Sequence, residues 1–182
     1  MIKKLTSTDF KISNWSGGNT KELYIFPESA QYNQRNFNFR LSIATTEKEE
    51  STFTSLPNIN RFLSILDGQL FIEHENKYSK TLLPFEIENF DGSWITKAKG
   101  KVTDFNLMLK NCNGNLQFKE FFSVNNFEII NKKFIVIYCI LGSIKVNDVL
   151  INKNEILIIE NEDIFLSSTH SKIFLAEIYD LK

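Results

Sequence analysis

Apolar and polar residues alternate along most of this chain, and the alternation limits the possible folds more than any other feature. In residues 37–44 the odd positions are apolar and the even positions are polar or small. A period of two places successive side chains on opposite faces of a β-strand. No window longer than about ten residues keeps the apolar stripe of an amphipathic helix. The sequence therefore predicts an all-β fold, with at most one short helical turn around residues 51–56.

An internal repeat indicates how these strands are organised. Residues 61–73 and residues 134–146 each contain an apolar strand, a glycine and a second short strand. We interpret each segment as a hairpin with a tight glycine turn. Two such units in tandem predict duplicated β-sandwich or jelly-roll halves, which we assign to residues 1–110 and to the shorter segment 111–182. The alternative is a coincidental likeness between two ordinary hairpins.

Composition and charge exclude several classes of protein. The 182 residues are 42% hydrophobic and 24% charged, which excludes global disorder and a membrane-spanning chain. Lys and Arg total 21 against 22 for Asp and Glu, so we expect no nucleic-acid or membrane partner. Cys112 and Cys139 are too few for a disulfide framework. No signal peptide is recognisable, and we expect a cytoplasmic monomer or homodimer.

The three arginines of this lysine-rich chain are informative because lysine would supply the same charge. Arg40 and Arg61 lie inside apolar strands, where a planar guanidinium can donate two parallel hydrogen bonds to one acid. Arg35 lies in a polar loop, and we expect it to be solvated. The first two arginines are therefore candidate ligand-binding residues.

Several strands carry polar residues two positions apart, so the members of each pair share one face. These residues are Thr20 and Glu22, Arg40 and Ser42, and Asp104 and Asn106, with Arg61 opening a further apolar run. If the sheet closes into a barrel, this face lines an interior where buried polar groups need partners, which would make it a ligand pocket. The other interpretation is that these faces point to solvent, and periodicity alone does not decide between the two.

The common catalytic and metal-binding motifs are missing from the sequence. His74 and His170 are far apart and lie in no H-x-H or H-E-x-x-H pattern, so we expect no metal site, and we expect His74 to lie on the surface of a strand. No G-x-S-x-G, P-loop or G-x-G-x-x-G motif occurs, and we expect no cofactor. The pair Gly17-Gly18 after Trp15 predicts a turn that allows another segment of backbone to approach closely.

A series of short motifs resembles the HutD/Ves family. The opening W-x-G-G-x-T-x-E…P of that family is matched by residues 15–27, and further blocks follow in the family's order. They are the strand R-x-S-x-A at 40–44, the segment F-[ST]-x-[FL]-P-x-[IV]-x-R at 53–61, and blocks at 84–86, 90–92 and 104–108. The match covers about residues 10 to 110.

This resemblance implies a bicupin that lacks the usual metal ligands of cupins. It also implies the binding of a small carboxylate or formylated metabolite, with a regulatory role in amino-acid (histidine) utilisation or in a stress response. No catalytic activity is firmly tied to the family. The ligand-binding residues that match its motif positions are Trp15, Thr20, Glu22, Arg40, Ser42, Arg61, Asp104 and Asn106.

Three functional hypotheses remain open from the sequence. The one we favour is a non-enzymatic binder in which an arginine holds a carboxylate, while Glu22 and Asp104 orient the arginines or accept a ligand N–H. The second is a metal-independent isomerase or lyase with Glu22 or Asp104 as the general base. The third is a structural or partner-binding protein whose pocket is vestigial. Fold membership does not decide among them.

Overall fold

The computed structural model describes residues 1–122, 125–130, 133–168 and 170–182, and most of them lie in strands. In chain order the strands are β1 (Ile2–Leu5), β2 (Lys11–Trp15), β3 (Gly18–Phe26), β4 (Phe39–Thr46), β5 (Glu50–Thr52), β6 (Asn60–Asp67), β7 (Leu70–His74), β8 (Tyr78–Leu82), β9 (Ile87–Asp91), β10 (Thr96–Lys99), β11 (Val102–Leu109), β12 (Asn113–Phe121), β13 (Asn125–Ile129), β14 (Phe134–Val146), β15 (Val149–Asn152), β16 (Ile156–Glu160), β17 (Ile164–Ser168) and β18 (Ser171–Tyr179).

Helical structure is almost absent from these residues. A single turn of 3-10 helix spans Tyr32–Gln34, and no helix of the described residues is long and apolar enough to cross a membrane. The prediction of an all-β fold is confirmed. The helical turn expected around residues 51–56 is wrong, because β5 occupies the start of this segment and irregular chain follows it.

The first compact unit, called here the N-terminal unit, comprises Lys11–Asn111. It contains a six-stranded sheet in the order β2-β3-β4-β11-β6-β9 and a four-stranded sheet in the order β5-β10-β7-β8. Leu63 and Ile65 of β6 share one core cluster with Ile72 of β7 and Leu82 of β8. The two sheets therefore form an antiparallel β-sandwich with a common interior.

The second unit, called here the C-terminal unit, comprises Met1–Phe10 together with Cys112–Lys182. The first part of β14 pairs with β16 and β18, and its last part pairs with β15 and β17. The sequence-based division placed residues 1–10 in the first half. The structure places them in the C-terminal unit, because β1 pairs with β16 and Ile2 packs against the core of this unit.

The same eight-strand pairing pattern occurs in both units, as the internal repeat predicts. In the N-terminal unit β6 pairs with β11 and β9, and β7 pairs with β8 and β10. The two parts of β14 repeat these pairings with β18, β16, β15 and β17. The outer pairs β4–β11 and β5–β10 correspond to β12–β18 and β13–β17. Each unit is thus one half of a duplicated jelly roll.

The hairpin interpretation of the repeat is wrong at both glycines. β6 and β7 belong to different sheets, and the chain passes from one sheet to the other at Gly68, whose φ is 87°. In the C-terminal unit Gly142, with a φ of 71°, lies within the continuous strand β14, just where its pairing changes. Both glycines therefore form corners between sheets, and the positive φ explains why glycine is used there.

Candidate functional site

The polar residues predicted from periodicity lie together on one face of the six-stranded sheet. β4 lies between β3 and β11, and β11 lies between β4 and β6. The strand registers align three rows, which are Thr20–Ala44–Asp104–Ile65, Glu22–Ser42–Asn106–Leu63 and Ile25–Arg40–Met108–Arg61. Leu63 and Ile65 belong to the core between the sheets, so this face is the inner face of the sandwich.

Arg40 is held rigidly by its neighbours on β3 and β4. Its Nε donates a hydrogen bond of 2.7 Å to Oε2 of Glu22, and its Nη1 donates one of 3.0 Å to Oγ of Ser42. The guanidinium carbon lies 4.2 Å from the centre of the Tyr32 ring, and the residue is only 5% exposed. Glu22 therefore neutralises the charge of Arg40 and fixes its orientation.

Arg61 is connected to Asp104 through an asparagine. Its Nη2 donates a 3.0 Å hydrogen bond to Oδ1 of Asn106, and Nδ2 of Asn106 donates to Oδ1 of Asp104. The guanidinium carbon lies 4.9 Å from the ring centre of Phe53 and 5.1 Å from that of Phe90. Nε of Arg61 is buried and has no hydrogen-bond partner among the residues that the structure describes. This arginine thus keeps unused capacity to donate, which is unusual for a buried cation.

Burial changes the protonation equilibria of this cluster. It raises the pKa of Asp104 to about 7, although the positive charge of Arg61 and the hydrogen bond from Asn106 both act to lower it. Burial also lowers the pKa of Arg61 below its ordinary value, but an arginine stays charged in proteins. Asp104 therefore exchanges its proton near neutral pH, and the net charge beside Arg61 changes with it.

The inner face opens into a cavity of about 450 Å³ in the N-terminal unit. The cavity lining includes seven of the eight predicted site residues, namely Trp15, Thr20, Arg40, Ser42, Arg61, Asp104 and Asn106. The eighth, Glu22, is not part of the lining and reaches the cavity only through its ion pair with Arg40. Trp15, at 43% exposure, is the most open of the apolar residues of the lining. The structure therefore brings the predicted residues together.

Some lining residues were not predicted as site residues. Phe53 and Leu56 lie in the motif at 53–61 and could have been found from it, whereas nothing in the sequence marks Tyr32. The expectation that Arg35 is solvated is wrong. It is half-buried, its guanidinium carbon lies 3.9 Å from the centre of the Tyr32 ring, and its Nη1 donates to the Tyr32 carbonyl. Tyr32 is thus held by two arginines.

The expectation that His74 lies on the surface is also wrong. His74 is 1% exposed, because Leu70, Ile72 and His74 alternate onto the core side of β7. Its Nε2 lies 3.8 Å from Oε1 of Glu88 and has no hydrogen-bond partner in the described part of the chain, and burial lowers the pKa of the imidazole. Its ring is surrounded by the rings of Tyr78, Phe90 and Trp94. This histidine is therefore a core residue of the N-terminal unit.

The residues of the cavity do not fit a metal ion. Within the described ranges, no group of three or more His, Cys, Asp or Glu side chains could hold one. In the cavity itself, a cation would meet the guanidinium groups of Arg40 and Arg61. A metal cation and a guanidinium group repel each other, and this repulsion is strong where water is excluded. The chemistry of the lining favours an anion instead.

A wider depression of about 650 Å³ adjoins the cavity and shares Trp15 with it. Most of its lining is exposed, including Phe71, Lys97 and Lys99. Lys99 forms an ion pair of 2.9 Å with Glu50, and both side chains are largely solvated. Because solvated charges give little binding energy, we place the candidate site in the smaller cavity with the buried arginines.

The C-terminal unit has an apolar interior at the corresponding positions. The equivalent pairings of β6 with β11 and of β14 with β18 align Arg61, Asp104 and Asn106 with Ile135, Ile173 and Leu175. The latter three residues belong to the core cluster of the C-terminal unit. The candidate site is thus specific to the N-terminal unit, whose sheet is also extended by β3 and β2.

Comparisons with known proteins agree with this architecture. A conserved protein of unknown function from Pseudomonas aeruginosa PAO1 has a TM-score of 0.86 at 17% identity, with 98% of this chain and 99% of that chain covered. HutD from Pseudomonas fluorescens SBW25, in a formate condition, has a TM-score of 0.80 at 20% identity, with 98% of each chain covered. The bacterial pirin YhhW from Escherichia coli, in complex with nickel(II), has a TM-score of 0.73 at 10% identity, with 97% and 98% covered.

These structural likenesses lie below 25% identity and show the fold, which is the predicted bicupin. The family follows from the sequence itself, because a family model for HutD matches residues 7–176, nearly the whole chain. The resemblance noted at residues 10 to 110 thus extends through the C-terminal unit. This chain belongs to the HutD family.

Proposed function

We propose that this HutD-type cupin binds a small carboxylate or a formylated metabolite in the cavity of the N-terminal unit. The observation that carries the proposal is the pair of buried arginines, Arg40 and Arg61, on one wall of a cavity of about 450 Å³. Hydrogen bonds between a guanidinium and a carboxylate are charge-assisted and are stronger than those between neutral groups. Thr20 and Ser42 add neutral hydroxyl groups to the same wall.

The two arginines have different roles in this proposal. Arg40 is neutralised by Glu22 at 2.7 Å, so it contributes geometry and directed hydrogen bonds more than net charge. Arg61 has no ion-pair partner among the described residues, and only Asn106 accepts a hydrogen bond from it. A bound carboxylate near Arg61 would supply the missing negative charge. Arg61 is therefore the principal anchor and Arg40 a supporting donor.

A role in histidine utilisation or in a stress response is the finer part of the proposal. The family to which the chain belongs, and the formate condition in which its Pseudomonas fluorescens relative was solved, support formylated acids as the first compounds to test. In this proposal the protein acts in the cytoplasm as a sensor that limits flux when its ligand accumulates. It needs no cofactor and performs no reaction.

The test is isothermal titration calorimetry with formate, N-formylglutamate, urocanate, glutamate and histidine. Loss of a charge-assisted hydrogen bond costs roughly 1.5–3 kcal/mol, so Arg61→Gln should weaken binding of the best acid by roughly tenfold or more. Arg61→Lys, which keeps the charge but not the fork, should show an intermediate loss. Lys97→Gln removes the same charge from the exposed surface of the adjoining depression and should leave the affinity unchanged.

The outcomes separate the parts of the proposal. Equal weakening by Arg61→Gln and Lys97→Gln would mean that only the overall charge matters, and the assigned role of Arg61 would be wrong. Tight binding of N-formylglutamate or urocanate, with weak binding of glutamate and histidine, would support the histidine pathway as the context. Circular dichroism melting curves of each variant control for unfolding, because Arg61 is buried.

One observation favours the second candidate, a metal-independent isomerase or lyase. Burial raises the pKa of Asp104 to about 7, and a general base works best when its pKa lies near the operating pH. Asp104 lines the cavity, whereas Glu22 is engaged by Arg40, so Asp104 is the better candidate base. In D2O, a carbon-bound proton of a bound acid would then exchange in wild type and not in Asp104→Asn. Absence of exchange in wild type would argue against this candidate.

A further inference from the structure

The cavity has one polar wall, and its remaining lining combines aromatic side chains with hydroxyl groups. Asp104, Asn106 and the two arginines lie on the strands of the six-stranded sheet, with Met108 between the arginines. The rest of the lining includes the aromatic side chains of Trp15, Tyr32 and Phe53 and the hydroxyl groups of Ser51, Thr52 and Thr54. Trp15 is exposed, and Tyr32 and Phe53 are half-buried, so these rings keep surface available for contact. Accessible aromatic rings favour a ligand with a flat apolar or aromatic body, because such a body packs or stacks against them.

The volume of the cavity also exceeds what a one-carbon acid needs. A cavity of about 450 Å³ lies in the range of roughly 300–1,000 Å³ that is typical for drug-sized ligands. Formate would contact the arginines and leave the aromatic residues facing water. A ligand that also covers these residues would gain binding energy in proportion to the apolar area that it removes from water.

The charges of the polar wall limit the ligand to a single negative charge. Glu22 compensates Arg40 through a direct ion pair. Arg61 lies near Asp104, with Asn106 between them, and Asp104 is partly protonated near neutral pH because burial disfavours its charged form. The wall therefore carries at most one uncompensated positive charge. A second carboxylate in the cavity would be buried without a partner, which is costly.

The adjoining depression does not change this count. Its lining contains three lysines. Lys99 is already paired with Glu50 at 2.9 Å, Lys97 is exposed beside Glu73, its register partner on β7, and Lys48 is exposed and donates to Oγ of Ser16 at 3.5 Å. Exposed lysines attract an anion only weakly, because water and salt screen their charge. The depression therefore offers no built site for a second anionic group.

From these observations we infer that the ligand of this cavity is a monocarboxylate with a flat apolar or aromatic body. This inference rests on the proposed function and narrows its ligand class. The carboxylate contacts Arg61 and Arg40, the body lies against the aromatic lining, and Trp15 covers the body at the most exposed side. Of the acids proposed above, urocanate has these features, whereas formate lacks the body and N-formylglutamate carries a second carboxylate. Dicarboxylates, neutral amides and one-carbon acids are therefore disfavoured.

Four small probes separate these reasons by calorimetry. Benzoate has the complete set of features, formate lacks the body, benzamide lacks the charge, and terephthalate adds a second carboxylate to the same ring. We expect benzoate to bind wild type at least roughly tenfold more tightly than each of the other three. Trp15→Ala should weaken benzoate severalfold and leave formate unchanged. Phe71→Ala, which removes an exposed aromatic side chain from the adjoining depression only, is the matched control and should change neither.

Each result has a definite meaning. If formate or terephthalate binds as tightly as benzoate, or if Trp15→Ala and Phe71→Ala act alike, the inference is overturned. The proposed function would then still stand, provided that Arg61→Gln weakens binding of the acid by roughly tenfold or more. If no acid binds to wild type at all, both fail. Tighter binding of benzoate than of the other three probes, together with weaker binding of benzoate by Trp15→Ala, would establish the ligand class.

Discussion

Replacement of Asp104 by asparagine should stabilise the protein at neutral and alkaline pH. An asparagine at this position keeps a carbonyl oxygen that can accept the hydrogen bond from Nδ2 of Asn106, but it cannot ionise. Asp104 is 6% exposed, and burial raises its pKa from 3.8 to about 7. The folded wild type therefore holds a proton that the unfolded chain releases at lower pH.

The sign and size of the effect follow from this difference in pKa. When the folded state binds the extra proton, the free energy of unfolding falls as pH rises. The fall is about 1.4 kcal/mol for each pH unit between about pH 4 and about pH 7, or about 4 kcal/mol in total. The free energy of unfolding of Asp104→Asn does not fall in this way, because asparagine does not ionise. We therefore expect it to match wild type near pH 4 and to be more stable by about 4 kcal/mol above pH 7.

The assay is urea unfolding followed by tryptophan fluorescence between about pH 5 and about pH 8. Both tryptophans, Trp15 and Trp94, lie in the N-terminal unit, so the signal reports on the unit that contains Asp104. Asp91→Asn is the control, because the backbone N–H of Ser93 lowers the pKa of this exposed carboxyl and keeps its titration below the tested range. If Asp104→Asn and wild type lose stability in parallel with rising pH, our reasoning about the buried carboxyl is refuted.

Three further predictions concern other parts of the chain. Gly18→Ala should destabilise by more than about 2 kcal/mol in thermal melts, because the new Cβ would lie 1.8 Å from the Thr45 carbonyl oxygen at a φ of 152°; a neutral result would contradict this close approach. Glu88→Gln should lower the pKa of Tyr78 from about 12. Burial raises this pKa most, and the carboxylate of Glu88 raises it further, so that its removal is measurable by ultraviolet titration. Cys139, buried and with a pKa raised to about 11 by burial, should react with a thiol reagent only after unfolding, when tested in a variant without the other cysteine.

Alternation in the sequence is a reliable guide to the strands and to which residues share a face. It correctly groups Arg40 with Ser42 and Asp104 with Asn106, because a period of two is a local property of extended backbone. The duplication is also visible in the sequence, since each half must build its own core from the same order of strands. The family motifs alone mark Trp15 as a site residue, whereas Arg61 is also marked by its position in an apolar strand, and both residues line the cavity.

Predictions that depend on pairing between strands are less successful. Asp67-Gly68 resembles a hairpin turn in sequence, yet β6 and β7 lie in different sheets. A glycine permits a positive φ in a turn and in a corner alike, and only the partners of the flanking strands distinguish them. The prediction for His74 is wrong for a related reason. A polar residue in an alternating strand can face either side, and neighbouring rings decide whether it is buried.

The fold class, the duplication and the family can be recognised in the amino-acid sequence, because they follow from periodicity and from motifs in a fixed order. Periodicity also shows which polar residues share a face. The packing of the two sheets is needed to show that this face is the inner one. It is also needed to show that Asn106 connects Arg61 to Asp104 and that Glu22 holds Arg40. Burial depends on what packs against a strand from distant parts of the chain. The raised pKa of Asp104 and the single uncompensated charge of the cavity depend on the same packing.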